Sequence, residues 1–272
     1  MKFLCFNGAF YDAEQPVLGA GNKGYRYGDG FFETVRVHHS QIPLRVYHKN
    51  RIEKSLALLK YTLPKDVSVD LIFEQLLELC MLNQCSSSAR VRLSFSHGDG
   101  DLFANQALHY LIEAAVFQSA GTGDTGLSVG LFDMLRKEAS PYSGLKLASG
   151  FLYSRAAQYC VAHQLDDAVI LNTNGRIAES VISNIFWISK GQLFTPPVNE
   201  GCVEGVFRSY LLSNGLQALQ QPGTIDDLKN AEELFLTNAL RGIRSVQQFL
   251  GASYPTQQTQ LLLKDYASLL FP

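Results

Sequence analysis

The sequence carries little charge, and what it carries is balanced: 23 lysines and arginines against 25 aspartates and glutamates, with charged residues at 18% beside 46% apolar ones. Sparse charge with that apolar content excludes a disordered chain, and the balance excludes the basic footprint of a nucleic-acid binder. CxxC pairs are absent. The five cysteines, Cys5, Cys80, Cys85, Cys160 and Cys202, are scattered and odd in number, which argues against a secreted disulfide framework and against a zinc site, so no metal is expected. No run of about 18 apolar residues is present to span a bilayer, and the N-terminal stretch, broken by Asn7 and Gly8, lacks the apolar core of a signal peptide. A cytoplasmic protein without membrane attachment is the expectation. Internal repeats and low-complexity tracts are missing too, as are GxSxG, HExxH and Walker patterns, so hydrolase, zinc-protease and P-loop readings lose their support. Gly19-Ala20-Gly21-Asn22-Lys23-Gly24 satisfies GxGxxG. It follows Gln15-Pro16 and leads into strand-like sequence, so a plain loop is expected there. The adjacent His38 and His39 would point to opposite faces of a strand and cannot share a metal.

What is present reads as two halves. The 272 residues, set against ~150 per domain, allow one large domain or two modest ones. In the first half, Asn7-Gly8 predicts a hairpin between 2–6 and 9–11. Phe31 to His38 alternates, with Phe32, Thr34 and Arg36 on one face and Phe31, Glu33, Val35 and Val37 on the other. Helical spacing links Ile52, Leu56 and Leu59, and again Ile72, Leu76 and Leu79; strands return at 90–96 and 110–117. This predicts an antiparallel sheet with helices on one side. The run 119–126, SAGTGDTG, reads as a linker. Beyond it, strands are expected at 127–132, 167–172, 176–180, 184–189 and 193–195, with turns at Asn174-Gly175 and Lys190-Gly191. Helices are expected at 150–163, 205–213 and around 261–270. The acidic pairs Asp166-Asp167, Asp226-Asp227 and Glu232-Glu233 read as loop or helix-start residues.

Four segments together carry the chemistry: Tyr27 to Arg36 (YGDGFFETVR), Arg51 within HKNRIEKSLALL, Gly144-Leu145-Lys146, and Asn174 to Pro197 (NGRIAESVISNIFWISKGQLFTPP). In wording and spacing the chain resembles the class IV aminotransferases, pyridoxal-phosphate enzymes of fold type IV, from about Asn7 to about Val246. The family includes branched-chain and D-amino-acid aminotransferases and 4-amino-4-deoxychorismate lyase. The resemblance implies an α+β fold of two domains: an N-terminal α/β sandwich (1–118) and, after the 119–126 linker, a C-terminal strand-rich pseudo-barrel with helices (127–272) like that of D-amino-acid aminotransferase. It implies a small-molecule substrate, a homodimer, and pyridoxal 5'-phosphate as cofactor.

Residue roles follow by the same resemblance. Lys146 would hold the aldehyde as a Schiff base and later move a proton, work suited to an amine whose pKa falls on desolvation. Glu179 would sit against the ring nitrogen, keeping it protonated so that the ring withdraws electrons. Arg51 would offer its fork of donors to the phosphate. A helix starting past Glu204-Gly205 would add the amides of Val206 and Phe207. Tyr27, Phe32, Arg36, Arg92 and Asn238 are candidate substrate contacts, with Arg241 a further arginine in reach of that role.

Four departures from the family pattern stand out. Phe207 replaces a threonine, Ser149-Gly150-Phe151 replaces an Asn-Tyr pair, and Ser180-Val181-Ile182 is bulkier than the glycine-rich version and is expected to narrow the pocket. The turn His97-Gly98-Asp99-Gly100-Asp101 lacks an arginine for a substrate carboxylate. The compact length and Leu236-Thr237-Asn238-Ala239-Leu240 favour the lyase over an aminotransferase for D-amino or branched-chain acids; a non-catalytic binding protein on the same fold is the reading from another class.

Overall fold

The computed structural model describes residues 1–104, 106–118 and 126–267. The chain divides into two compact units, Met1–Ser119 with Leu145–Gly150, and Ala120–Gly144 with Phe151–Pro272. The second half expected at 127–272 is therefore not one run, because Leu145–Gly150 packs with the first unit. Of the expected linker 119–126, all but Gly126 lies outside the described residues.

In the first unit β1 (Phe3–Phe6) and β2 (Ala9–Asp12) turn on Asn7 and Gly8, both at positive φ (50° and 87°), the geometry for which Asn-Gly is suited. There follow α1 (Lys23–Tyr27), β3 (Gly30–His38), α2 (Arg45–Leu59), α3 (Val69–Leu82), β4 (Ser88–His97) and β5 (Leu108–Val116). The sheet order is β2-β1-β5-β4-β3, antiparallel throughout. Period-two alternation puts Phe31, Val35, Val91, Leu93, Phe95 and Ile112 on the buried face, where they pack with Ile52, Ile72, Phe73 and Leu76 of the two long helices. The other face carries Phe32, Thr34, Arg36, Arg92 and Ser94. The GxGxxG run does enter a helix, contrary to the strand-like reading. The Asn22 side chain accepts from the Tyr25 amide, and this local cap starts α1, which Gly28 ends after five residues. No strand leads directly into it, β2 having ended at Asp12.

The second unit contains β6 (Leu127–Lys137), α4 (Phe151–Ala162), β7 (Asp167–Asn172), β8 (Ile177–Ser180), β9 (Asn184–Ser189), β10 (Gln192–Thr195), α5 (Val206–Ser213), β11 (Ala218–Gln220), α6 (Ile225–Lys229), β12 (Glu233–Asn238), β13 (Gly242–Phe249), β14 (Ala252–Ser253) and α7 (Gln257–Leu262). The strands run in the order β11-β10-β9-β12-β13-β6-β7-β8, with β14 on β13, and the pairs β10·β11, β13·β6 and β6·β7 are parallel. The architecture is α+β with strand-rich, curled sheets. Leu127, Val169, Ile185, Trp187 and Leu234 form one core, and Phe132, Ala168 and Ile170 pack on Ala156 and Cys160 of α4 in another.

Glu233, expected in a loop or at a helix start, instead opens β12 and is buried. Its carboxylate accepts from the amides of Gln258 and Thr259 and from the Thr259 hydroxyl, which tethers α7 to the sheet. The helix expected around 261–270 begins earlier, at Gln257, and ends at Leu262, followed by a π-helical turn over Leu263–Ala267; positions 268–270 of the expected range lie outside the described residues. No helix among the described residues is long and apolar enough to cross a membrane.

Candidate active site

Residues 146–148 lie along the free edge of β3. The Phe32 amide donates to the Lys146 carbonyl at 2.9 Å, the Ala148 amide donates to the Gly30 carbonyl at 2.9 Å, and Leu147 bridges Phe31. Alternation then sends the Lys146 side chain to the face opposite the helical core, where its ammonium stands 4.6 Å from the Phe32 ring centroid. The Arg92 guanidinium lies over the same ring at 3.8 Å, with its Nε donating to Ser94 Oγ. Thr34 pairs with Arg92 and Arg36 with Arg90, so Arg36 is the diagonal neighbour of Arg92 on this face, stacked 5.4 Å over Phe117. Burial lowers the pKa of both arginines, and Glu113, paired with Arg92 on β5, partly balances the latter. Phe32, Arg36, Arg92 and Lys146 thus share one surface. Tyr27, at the end of α1, is not on this sheet.

Arg51, expected at the phosphate, is bonded within its own unit. Its Nε and Nη2 both reach Glu33 at 2.6 Å, and His48 Nδ1 lies 2.8 Å from the same carboxylate, all three side chains being buried on the helical side of the sheet. The bidentate edge of the fork, expected at a phosphate, is engaged by a carboxylate of its own unit. Burial opposes the charge of Glu33, but the Arg51 guanidinium and the His48 bond outweigh it and hold the acid at about 2.

The turn without an arginine has its own network. Asp29 accepts from the Tyr61 hydroxyl, meets His97 Nδ1 at 3.0 Å and pairs with Lys23 at 3.5 Å. These contacts outweigh burial and keep the Asp29 carboxyl below its ordinary range. The histidine of the turn is thereby tied to an internal acid.

In the second unit Glu179, on β8, is 3% exposed. Its Oε1 accepts from the Tyr153 hydroxyl at 2.6 Å and pairs with Lys137 Nζ; its Oε2 accepts from the Val203 amide at 2.8 Å. Burial, and then the nearby carboxylate, push the Tyr153 phenol far above its usual range, so it remains a donor. Neither Tyr153 nor Lys137 was identified from sequence. One lies on α4 and the other ends β6, and the pairing of β6, β7 and β8 together with the packing of α4 on them brings both to Glu179.

Beside them Asp167 accepts from the amides of Ala168 and Val181 and from Ser180 Oγ, yet burial raises it to about 6. A folded-state value above the unfolded one stabilises below the unfolded pKa, and that stability is lost as pH rises through about 6. Asp167→Asn is expected to remove this dependence and to raise stability above pH 7 by on the order of 2 kcal/mol, read from urea melts at two pH values. The Val181 side chain packs with the Phe132 cluster and Ile182 is 55% exposed.

The helix expected after Glu204-Gly205 is α5, with Gly205 as N-cap and no side-chain cap. The amides of Val206 and Phe207, in its first turn, have no acceptor within the helix and lie at the positive end of its dipole. A Cβ at Gly205 would run into Asn184 Oδ1, whose own amide donates to the Val203 carbonyl at 2.8 Å. Gly205→Ala is therefore expected to break this bond, lowering thermal stability by about 1–3 kcal/mol and weakening anion binding measured with inorganic phosphate. Phe207 is fully buried against Tyr210, and Arg208 donates to the Pro196 carbonyl and to Gln220, which makes it a brace of this turn. Asn238, a candidate substrate contact, is a turn brace as well: its Oδ1 accepts from the amides of Leu240 and Arg241 and its Nδ2 donates to Ser183.

Residues 30–249 match the family described as amino-transferase class IV. The chain belongs to that family. As a class IV chain it is 27% identical to aminodeoxychorismate lyase of Bacillus subtilis, covering 92% of this chain and 88% of that one. It is 25% identical to a putative branched-chain-amino-acid aminotransferase of Methanocaldococcus jannaschii, covering 96% and 92%. Its fold superposes on the branched-chain aminotransferase of Thermoproteus uzoniensis, solved with norvaline, with a TM-score of 0.89 at 21% identity over 98% of this chain and 94% of the other.

Class IV enzymes depend on pyridoxal phosphate. The residues present fit that group: an amine beside an aromatic ring and an arginine in one unit, and in the other a buried carboxylate and a helix start at Gly205.

Proposed function

We propose that this class IV enzyme is a 4-amino-4-deoxychorismate lyase, releasing pyruvate and 4-aminobenzoate on the way to folate. The observation that carries the reading is the pair of half-buried guanidiniums, Arg92 and Arg36, on the sheet face that bears the Lys146 amine. Aminodeoxychorismate carries two carboxylates, one on its ring and one on its enolpyruvyl arm, and two arginines in diagonal positions suit a dianion. Alanine or a branched-chain acid needs only one such contact. Pyridoxal phosphate, when bound, supplies an aldehyde for the amine and a ring that withdraws electrons. Arg92, stacked on Phe32, presents a rigid guanidinium edge to one carboxylate and Arg36 takes the other. The Lys146 Nζ, once the substrate amine has displaced it, removes the proton from the amine-bearing carbon. Pyruvate then leaves from the neighbouring carbon and the ring becomes aromatic. The amides of Val206 and Phe207 hold the phosphate and Glu179 meets the ring nitrogen. Arg51, tied to Glu33 through Nε and Nη2, turns its guanidinium to the phosphate in this reading.

The proposal includes a cytoplasmic homodimer, in keeping with Tyr25 (82% exposed) and Phe103 (93%) standing out from the first unit; sedimentation would read a mass twice that of the chain. The deciding experiment incubates the loaded protein with aminodeoxychorismate and, separately, with D-amino and branched-chain acids plus a keto acid. Aminobenzoate formed without added keto acid supports the lyase; amino-group transfer alone makes the protein an aminotransferase. Arg36→Ala is expected to raise KM about tenfold for the dicarboxylate, with kcat little changed.

A further inference from the structure

The Glu179 carboxylate is not a solitary acid. A carboxylate accepts at about four positions. Lys137 and Tyr153 occupy Oε1, and the Val203 amide occupies one side of Oε2, which leaves a single position on Oε2. Lys137 is itself largely enclosed, its side chain 12% exposed, with its ammonium 5.4 Å from the Tyr153 ring centroid. The other titratable groups that bear on Glu179 are Cys202, whose thiol burial pushes up to about 12, and Asp167, raised to about 6. Lys137 is thus the cation paired with this carboxylate, and solvent screens the pair little.

We propose that Lys137 is a positioning residue of the cofactor site: it fixes the Glu179 carboxylate and shares its charge, so that the ring nitrogen meets an acid already half neutralised. This rests on the reading of Glu179 as the partner of that nitrogen. Two effects follow, and they differ in kind. The three donors lock the carboxylate, so its open position has one direction. The ammonium also opposes a proton on the ring nitrogen, because a positive ring would face a neutral ion pair instead of a bare carboxylate. Glu179 with Lys137 therefore holds a ring-nitrogen proton less tightly than glutamate alone. The proton sits on the ring only as firmly as this balance allows, which moderates how strongly the ring draws electrons from substrate.

The test compares two ligands binding to the cofactor-free protein: pyridoxal phosphate and its 1-deaza analogue, in which a CH replaces the ring nitrogen. Both carry the aldehyde and the phosphate, so the ratio of their dissociation constants isolates the nitrogen's contact. Lys137→Met and Lys137→Gln are expected to raise the preference for pyridoxal phosphate about tenfold, and Lys137→Arg to leave it within about twofold of the parent. The glutamine variant keeps a donor to Glu179 without the charge, so it stays informative if the methionine variant does not fold. A purely structural lysine would weaken both ligands equally, and an unchanged ratio in both neutral variants overturns the proposal. Glu179→Gln separates the two levels. If it leaves the ratio unchanged, the assignment of Glu179 is wrong; if it collapses the ratio while the Lys137 variants do not move it, only the role of Lys137 fails.

Discussion

Lys146→Ala is expected to lower turnover about a thousandfold or more, whichever class IV reaction the enzyme carries out, because in the proposed mechanism one amine is both the covalent anchor and the proton carrier. The side chains stacked around it do not replace it: Arg92 and Arg36 are guanidiniums that do not serve as proton carriers, and Phe32 has no proton to give. The loss belongs to chemistry and not to folding, since Lys146 contributes its backbone, and not its side chain, to the edge of β3. Borohydride reduction of the loaded protein followed by peptide mass analysis checks this directly. The parent gains the cofactor's mass on the peptide containing position 146, and the variant gains none. A variant that kept the adduct and its turnover would remove Lys146 from the mechanism.

The second large effect lies away from the reacting amine. Glu33→Gln leaves the buried Arg51 guanidinium without its anion and His48 without its partner, and breaking a buried pair in this way costs about 3–5 kcal/mol. The sign of the pH dependence follows from the depressed acid. Its pKa falls from 4.5 to about 2 on folding, so its contribution is fully present above the unfolded value and is lost as pH falls through about 2. The parent's first unit should hold its stability down to the low end of that window, and the variant should lack this slope. The chain's single tryptophan, Trp187, belongs to the second unit. Far-ultraviolet dichroism, which reads both units, is then expected to show an earlier transition in the variant while Trp187 fluorescence lags behind it. Coincident, unshifted transitions would mean that the Glu33 cluster is not a keystone of the first unit.

Legibility in the sequence followed the physics of each element. β3 was readable because one face meets helices and the other does not, so Phe31 to Val37 alternates; the turns at Asn7-Gly8, Asn174-Gly175 and Lys190-Gly191 were readable because positive φ narrows the choice of residue. β12 was not. Leu234, Phe235 and Leu236 are all buried, so the alternation that marks a half-exposed strand is erased, and the acidic pair at its start reads as a loop or a helix start. α1 was hidden for the opposite reason: five residues are too few for a period, and only the Asn22 cap announces it. At the site, Lys146, Glu179 and the α5 start came from local wording. The engagement of Arg51 by Glu33 and of Glu179 by Lys137 and Tyr153 depends on strand pairing across tens of residues, and no local pattern carries it.

The excursion of Leu145–Gly150 bears on any attempt to dissect the protein. A fragment ending near residue 118 would retain α2, α3 and every strand of the five-stranded sheet, yet it would strip β3 of the neighbour that caps Gly30 and Phe32. That fragment would present a raw strand edge next to an unshielded phenylalanine, a template for self-association. Expressed alone, it should precipitate or form multimers, whereas supplying residues 145–150 as a peptide in trans, or grafting them through a short loop, should restore a monodisperse species.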